Sequence, residues 1–331
     1  MPQLLDQLKI GSLELKNRIV MPPMATNYAN KQGKVTDKLI KHYTDKTKDL
    51  GLLIVEHSFM AQQGRASNTQ LGADSDELIP GLERLVNAVH GNETPITLQI
   101  NHGGGTTSRD ITGSQPVSPS SVMHPRRGRE MPHQLSLDEI EEIIYGFRDA
   151  ANRAATAGFD AIEVHGAHGF LLSQFLSPLT NRRQDEYGGD LKNRVRMPCR
   201  IIEEIRRELG SNFPILYRIG VDDLLPGGIA VKEGVEAAKM IVKKGVSIMD
   251  VSGGIGGVGM NGFEGPGYFV PYAAAVKDVV DIPVIGVGGI KTADEADEII
   301  RSGMVDLVAV GRAILKDSKW ATKAVEYLSK K

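Results

Sequence analysis

Apolar positions along this chain fall into two alternating rhythms. Short, nearly continuous apolar runs recur at Arg18–Met24, Leu52–Phe59, Ile96–Asn101, Phe159–Val164, Ile215–Ile219, Val246–Val251, Val284–Val287 and Val305–Val310. Most are unbroken rather than alternating, as expected of parallel strands covered on both faces. Between them the apolar residues take helical spacing. Ser136-Leu-Asp-Glu139 is a capping box leading into Ile140, Ile143, Ile144 and Phe147, and Thr292-Ala-Asp-Glu295 leads into Ala296, Ile299 and Ile300. A third helix carries Val235, Ala238, Ile241 and Val242 and stops at Gly245, while Pro198 predicts a kink or late start within 191–209. Leu8 to Leu15 predicts a hairpin turning at Gly11-Ser12. Eight strand–helix units predict an α/β fold, a (β/α)8 TIM barrel with an N-terminal hairpin; a doubly wound open sheet is the competitor that the count of eight disfavours.

One connection breaks the rhythm. After the third strand, His102 to Leu135 is rich in Gly, Ser, Pro and Arg and carries His124, Arg126, Arg127, Arg129 and His133. A long loop in a compact domain is usually functional or disordered. The expectation is a lid over the barrel mouth, about residues 103–135. Its arginines suit either an anionic substrate or a solvated basic rim.

Composition narrows the class. With 331 residues, 41% of them hydrophobic, and no evident repeat or linker, a single domain over 1–331 is expected. A net charge of -2 gives no bulk drive toward nucleic acid or an anionic membrane. No apolar run reaches the roughly 18 residues of a membrane span, and the start lacks a signal-peptide pattern. A cytoplasmic protein is expected. The lone Cys199 excludes an internal disulfide framework, a cysteine-only zinc site and a four-cysteine iron–sulfur cluster.

Barrel chemistry belongs at the C-terminal ends of strands. There the fourth run gives way to His165-Gly-Ala-His168, and two imidazoles in one patch can bind an oxygen anion or a metal. A metal is disfavoured, because no third ligand is evident beside Glu163 and His165. Gln99 and Arg218 point into the same mouth, and a buried Arg218 needs a partner: Glu56, Glu163 or an electron-rich ligand. Gly254-Ile-Gly256-Gly-Val-Gly259 mimics a dinucleotide fingerprint, but the polar, glycine-rich continuation predicts no helix to hold a pyrophosphate. A phosphate is better placed at Gly286 to Gly289 and Gly311-Arg312, after strands seven and eight.

Together these residues resemble the Old Yellow Enzyme family of FMN-dependent ene-reductases. The match runs through Asn17–Met24, Gly51–Glu56, Gln62–Arg65, Gln99–His102, Pro116–Ser120, His165–Gly169, Phe175–Pro178, Asn181–Arg194 and Val310–Arg312. The resemblance implies one FMN, with NADH or NADPH as reductant and a small electrophile as substrate. Pro22, Pro23, Met24 and Ala25 would line the isoalloxazine, Gln99 its pyrimidine edge, and Arg218 the N1/O2 edge. Gly288, Gly289, Gly311 and Arg312 would hold the phosphate, and His165 and His168 the substrate oxygen. The implied reaction is ping-pong hydride transfer to an activated C=C bond.

Three positions depart from the family. Phe170 stands where many relatives carry a proton-donating tyrosine, so nitro, quinone or flavin acceptors are the alternative. Ala25 replaces a cysteine or threonine, and His57 fills a position that is usually small. The chain stops at Lys331 without the arginine tail that some relatives insert into a neighbour, so a homo-oligomer stays open. Outside the redox class, a phosphate-binding aldolase or isomerase barrel competes, though no strand offers an evident Schiff-base lysine.

Overall fold

The computed structural model describes residues 2–257 and 263–331. β1 (Leu8–Ile10) and β2 (Leu13–Leu15) form an antiparallel hairpin around Gly11-Ser12, with Ile10 opposite Leu13. The chain then lays down β3 (Ile19–Met21), β4 (Leu52–Phe59) and β5 (Ile96–Asn101). β6 (Val117–Ser118) and β7 (His133–Gln134) make a separate pair, followed by β8 (Ala161–Gly166), β9 (Ile215–Gly220), β10 (Ile248–Ser252), β11 (Val284–Val287) and β12 (Leu307–Ala309). Eight of these close a parallel barrel in the order β3-β4-β5-β8-β9-β10-β11-β12. The eight-unit barrel and the hairpin thus agree with the pattern of apolar runs.

Strand parity sorts the interior into layers. Val20, Leu52, Ile54, Ala161, Leu216, Ile248, Ile285 and Leu307 pack with Ile10, Leu13 and Leu15 of the hairpin, which plugs one end. Two residues further along their strands, Glu163, Arg218 and Asp250 form a polar layer with Gln99 of β5, every member at most 4% exposed. One more step brings His165 and Ser252 to the C-terminal rim. The alternate strand residues, such as Ile162 and Val164, join the larger core between strands and helices.

Three boundaries differ from the sequence reading, each for a local reason. The first barrel strand stops at Met21, because Pro22 and Pro23 have no N–H to continue the ladder. The fourth extends to Gly166, so His165 is a strand residue in register with Arg218. The helical run over 191–209 is two helices, Leu191–Arg194 and Arg196–Leu209, which seats Pro198 in the first turn of the second, where its missing N–H costs little.

The connection after β5 is more ordered than its composition suggested. It holds a short helix, Arg109–Thr112, and the β6–β7 pair. Arg183 reaches across to donate to the carbonyls of Pro119 (2.9 Å) and Leu135 (2.5 Å), while Ser120 Oγ accepts from Arg182 N. The polar run 181–189 therefore props the lid rather than reaching the barrel mouth. Among the described residues no helix is long and apolar enough to cross a membrane.

Candidate active site

The barrel mouth opens into a cavity of about 1340 Å³. It gathers nine residues that the sequence marked: Pro22, Pro23, Met24, His168, Arg218, Gly288, Gly289, Gly311 and Arg312. Ala25, His57 and Phe170 line a smaller neighbouring cavity of about 490 Å³. Gln99 and His165 lie in the walls between interior and mouth, 1% and 2% exposed.

The two histidines owe their aim to the end of β8. His165 completes the strand; its Nδ1 accepts from the N–H of Ala167 (3.4 Å), which assigns the ring hydrogen to Nε2. His168 takes a left-handed backbone, φ 58, stabilised where its N–H donates to Gly253 O (2.9 Å) and Arg127 donates to its carbonyl. Its Nε2 lies 2.7 Å from Ser252 Oγ; with the hydroxyl donating, Nδ1 carries the hydrogen. Ser252 is held in turn by the loop after β10, which Asp223 ties down through Ile255 N (3.0 Å). The rings meet edge-on at 5.1 Å, and Phe170 packs 5.0 Å from His165.

Burial first, then each other and the Arg218 charge, holds the pKa of His165 well below the ordinary imidazole value. Burial and the charges of Arg218 and Arg127 do the same to His168. Both are therefore neutral hydrogen-bond donors, not cations, near pH 7. His57 sits where β4 loses register with β5, between Val55 and Ser58, and such bulges re-aim side chains. Its Nδ1 lies 2.7 Å from Gln70 Nε2, and burial lowers its pKa to about 4.

Below the histidines the polar layer is self-contained. Gln99 Nε2 donates to Glu163 Oε1 (2.7 Å), and Arg218 Nε stands 3.1 Å from Asp250 Oδ2, ion-pair distance without hydrogen-bond alignment. Asp250 is the partner that the sequence reading missed; Glu56 is instead capped by the Thr26 hydroxyl (2.7 Å). Burial, then the Asp250 charge, raises the pKa of Glu163 well above the carboxylate range, so Glu163 is protonated. The two carboxyl groups share a hydrogen bond, and the Glu163 proton satisfies oxygens that would otherwise face each other unpartnered.

These residues fit a flavin nucleotide. The Arg218 guanidinium lines the cavity, where it can face an electron-rich ring edge, beside the apolar wall of Pro22, Pro23 and Met24. At the other end Arg312 and Lys291 bracket Gly288 and Gly289, whose φ values of +128 and +62 suit glycine. A Cβ on Gly289 would stand 2.2 Å from Gly265 O, so only glycine fits at that turn. Asp250, Ser252 and Lys291 had no motif to announce them; only the charge inside the apolar run VSIMDV hinted at Asp250. Of the dinucleotide-like glycines, Gly254 and Gly256 lie in the loop fixed by Asp223, and Gly259 lies outside the described residues.

Such a mouth defines a barrel built to seat a flavin nucleotide. The profile of the NADH:flavin oxidoreductase / NADH oxidase family matches residues 3–331. An NADH oxidase of Thermoanaerobacter brockii is 44% identical over 333 residues, 98% of this chain and 51% of the relative. An NADPH dehydrogenase of Clostridium acetobutylicum is 38% identical over 318 residues, 95% of this chain and 92% of the relative. The solved Old Yellow Enzyme homologue from Zymomonas mobilis superposes with a TM-score of 0.87 at 25% identity, covering 98% and 93% of the two chains. This chain belongs to the NADH:flavin oxidoreductase / NADH oxidase family, the Old Yellow Enzyme group, whose members bind FMN and use NAD(P)H. It spans about half the length of the Thermoanaerobacter relative.

Proposed function

We propose that this chain is an FMN-dependent NAD(P)H oxidoreductase that reduces activated C=C bonds in enones, enals and nitroalkenes. The observation that carries the reading is the pair of neutral imidazoles at the mouth, each with one nitrogen already engaged. When bound, FMN would supply the two-electron relay from reduced nicotinamide to the acceptor. Overall, NAD(P)H and one proton are consumed, one hydrogen arriving at the alkene β-carbon as hydride and the other at the α-carbon as a proton.

The residues of the chain do the rest. His165 and His168 hold the acceptor oxygen and stabilise the negative charge that grows on it, as an oxyanion hole does. Pro22, Pro23, Met24 and Ala25 wall the ring, Arg218 balances charge at its electron-rich edge, and Gln99 stands below it. Gly288, Gly289, Gly311 and Arg312 hold the phosphate. Phe170 occupies the place of a proton donor and has no proton to give, so water or another group must protonate the α-carbon.

That gap favours a second reading, reduction of nitro or quinone acceptors, which need no C-protonation. Anaerobic stopped-flow decides between them: reduced enzyme is mixed with 2-cyclohexenone or with nitrobenzene and flavin reoxidation is followed. Reoxidation by cyclohexenone supports alkene reduction; reoxidation by nitrobenzene alone replaces it with the second reading.

A further inference from the structure

The smaller cavity holds a charge imbalance that the proposed reaction leaves unused. One turn of the lid sends Arg126, Arg127 and Arg129 into its wall beside His57, and among the described residues no Asp or Glu lines it. Buried Arg183 pairs with Asp185 and Arg194 with Glu233, whereas Arg18 and Arg65 are held by backbone carbonyls. The acid next to this turn, Glu130, is engaged by Arg109 at 3.2 Å. Arg127 is fixed instead by neutral groups, donating to the His168 carbonyl and lying 4.7 Å over the Phe170 ring. Much of its surface is open to the cavity, yet the surrounding walls and the Arg126 charge lower its pKa, the mark of a cation without compensation. Phe170 touches both Arg127 and His165, so the cation and the oxygen-holding pair stand one aromatic ring apart.

We propose that Arg127 receives an oxyanion of the molecule at the open flavin face. That molecule is the electron acceptor, an unsaturated or nitro-substituted organic acid whose carboxylate meets Arg127 while its reactive group meets His165 and His168. The inference rests on the oxidoreductase reading above. A phosphate of the reduced nucleotide offers the same chemistry, and the two half-reactions separate the sources.

The test compares wild-type, Arg127→Ala and Arg127→Lys holoenzymes. Binding of benzoate and benzamide to the oxidised enzyme is titrated through the flavin absorbance. Reoxidation of chemically reduced enzyme is timed with 4-nitrobenzoate and its methyl ester, and reduction is timed with NADH and NADPH. Wild type is expected to prefer each acid over its neutral partner by about ten- to a hundredfold, the worth of a charge-assisted pair. Arg127→Ala also loses the bond to the His168 carbonyl and so slows acid and ester alike, but it should bring their ratio to about one, with Arg127→Lys restoring part of the preference. Three results overturn the proposal: no acid preference in wild type, an alanine variant in which acid and ester fall by the same factor so that the preference survives, or one that slows reduction by NADH or NADPH far more than reoxidation by the ester. Failure of both nitro compounds and of 2-cyclohexenone to reoxidise the enzyme overturns the acceptor reading itself. Loss of acid preference with the ester still reacting overturns this inference alone.

Discussion

Two arginines of the same pocket live under opposite terms. Arg218 stands on a strand, 4% exposed, in a layer that supplies its own counter-charge in Asp250 and its own neutral donors in Gln99 and protonated Glu163. Arg127 stands on the lid, open to a cavity with no carboxylate among the described residues of its lining. A cation inside a barrel cannot wait for a ligand, because an unpaired buried charge is too costly for the fold to carry. At the rim, water screens the charge until a ligand displaces it. The interior can therefore set the properties of the cofactor, while the rim is free to choose its guest.

Substitutions in the interior layer sharpen that contrast most. Asp250→Asn is expected to leave Arg218 buried beside a neutral group and to lower stability by about 3–5 kcal/mol, read as a lower denaturation midpoint at unchanged slope. A midpoint equal to wild type would show that the layer is not a compensated set. Next in size, Phe170→Tyr adds an acidic hydroxyl between rim and histidines. It is expected to raise turnover of 2-cyclohexenone up to about 10²-fold, within the usual range of general acid help, without accelerating nitrobenzene. No change for the enone would mean that another acid already serves. Smallest is Glu163→Gln. Since Glu163 already carries its proton, the amide replaces it nearly atom for atom, and stability should move by less than about 1 kcal/mol. A larger loss would mark Glu163 as ionised.

The barrel was legible because its signal is redundant: eight apolar runs and two capping boxes agree, and local errors do not disturb the count. The two imidazoles and Phe170 were legible because they share one turn. Asp250 was not, since pairing it with Arg218 requires the register between β9 and β10, which no local pattern states. The order within the lid was hidden for a related reason. Its Gly, Ser and Pro content suggests a bare loop, and what orders it is Arg183, sixty-odd residues downstream of Pro119. The basic turn 126–129 could be read as a rim but not as a wall of a cavity, because that depends on how the lid folds back over Phe170. His57 was visible only as a misfit in size; the bulge that aims it belongs to a strand pair.

The bond from Arg127 to the backbone of His168 makes the roof and the reactive end a single latch. A change in the roof that broke this bond would release the carbonyl beside the left-handed turn at His168, so the two ends answer to one contact. Insertions or deletions in the roof would therefore be felt as altered chemistry before they were felt as altered access.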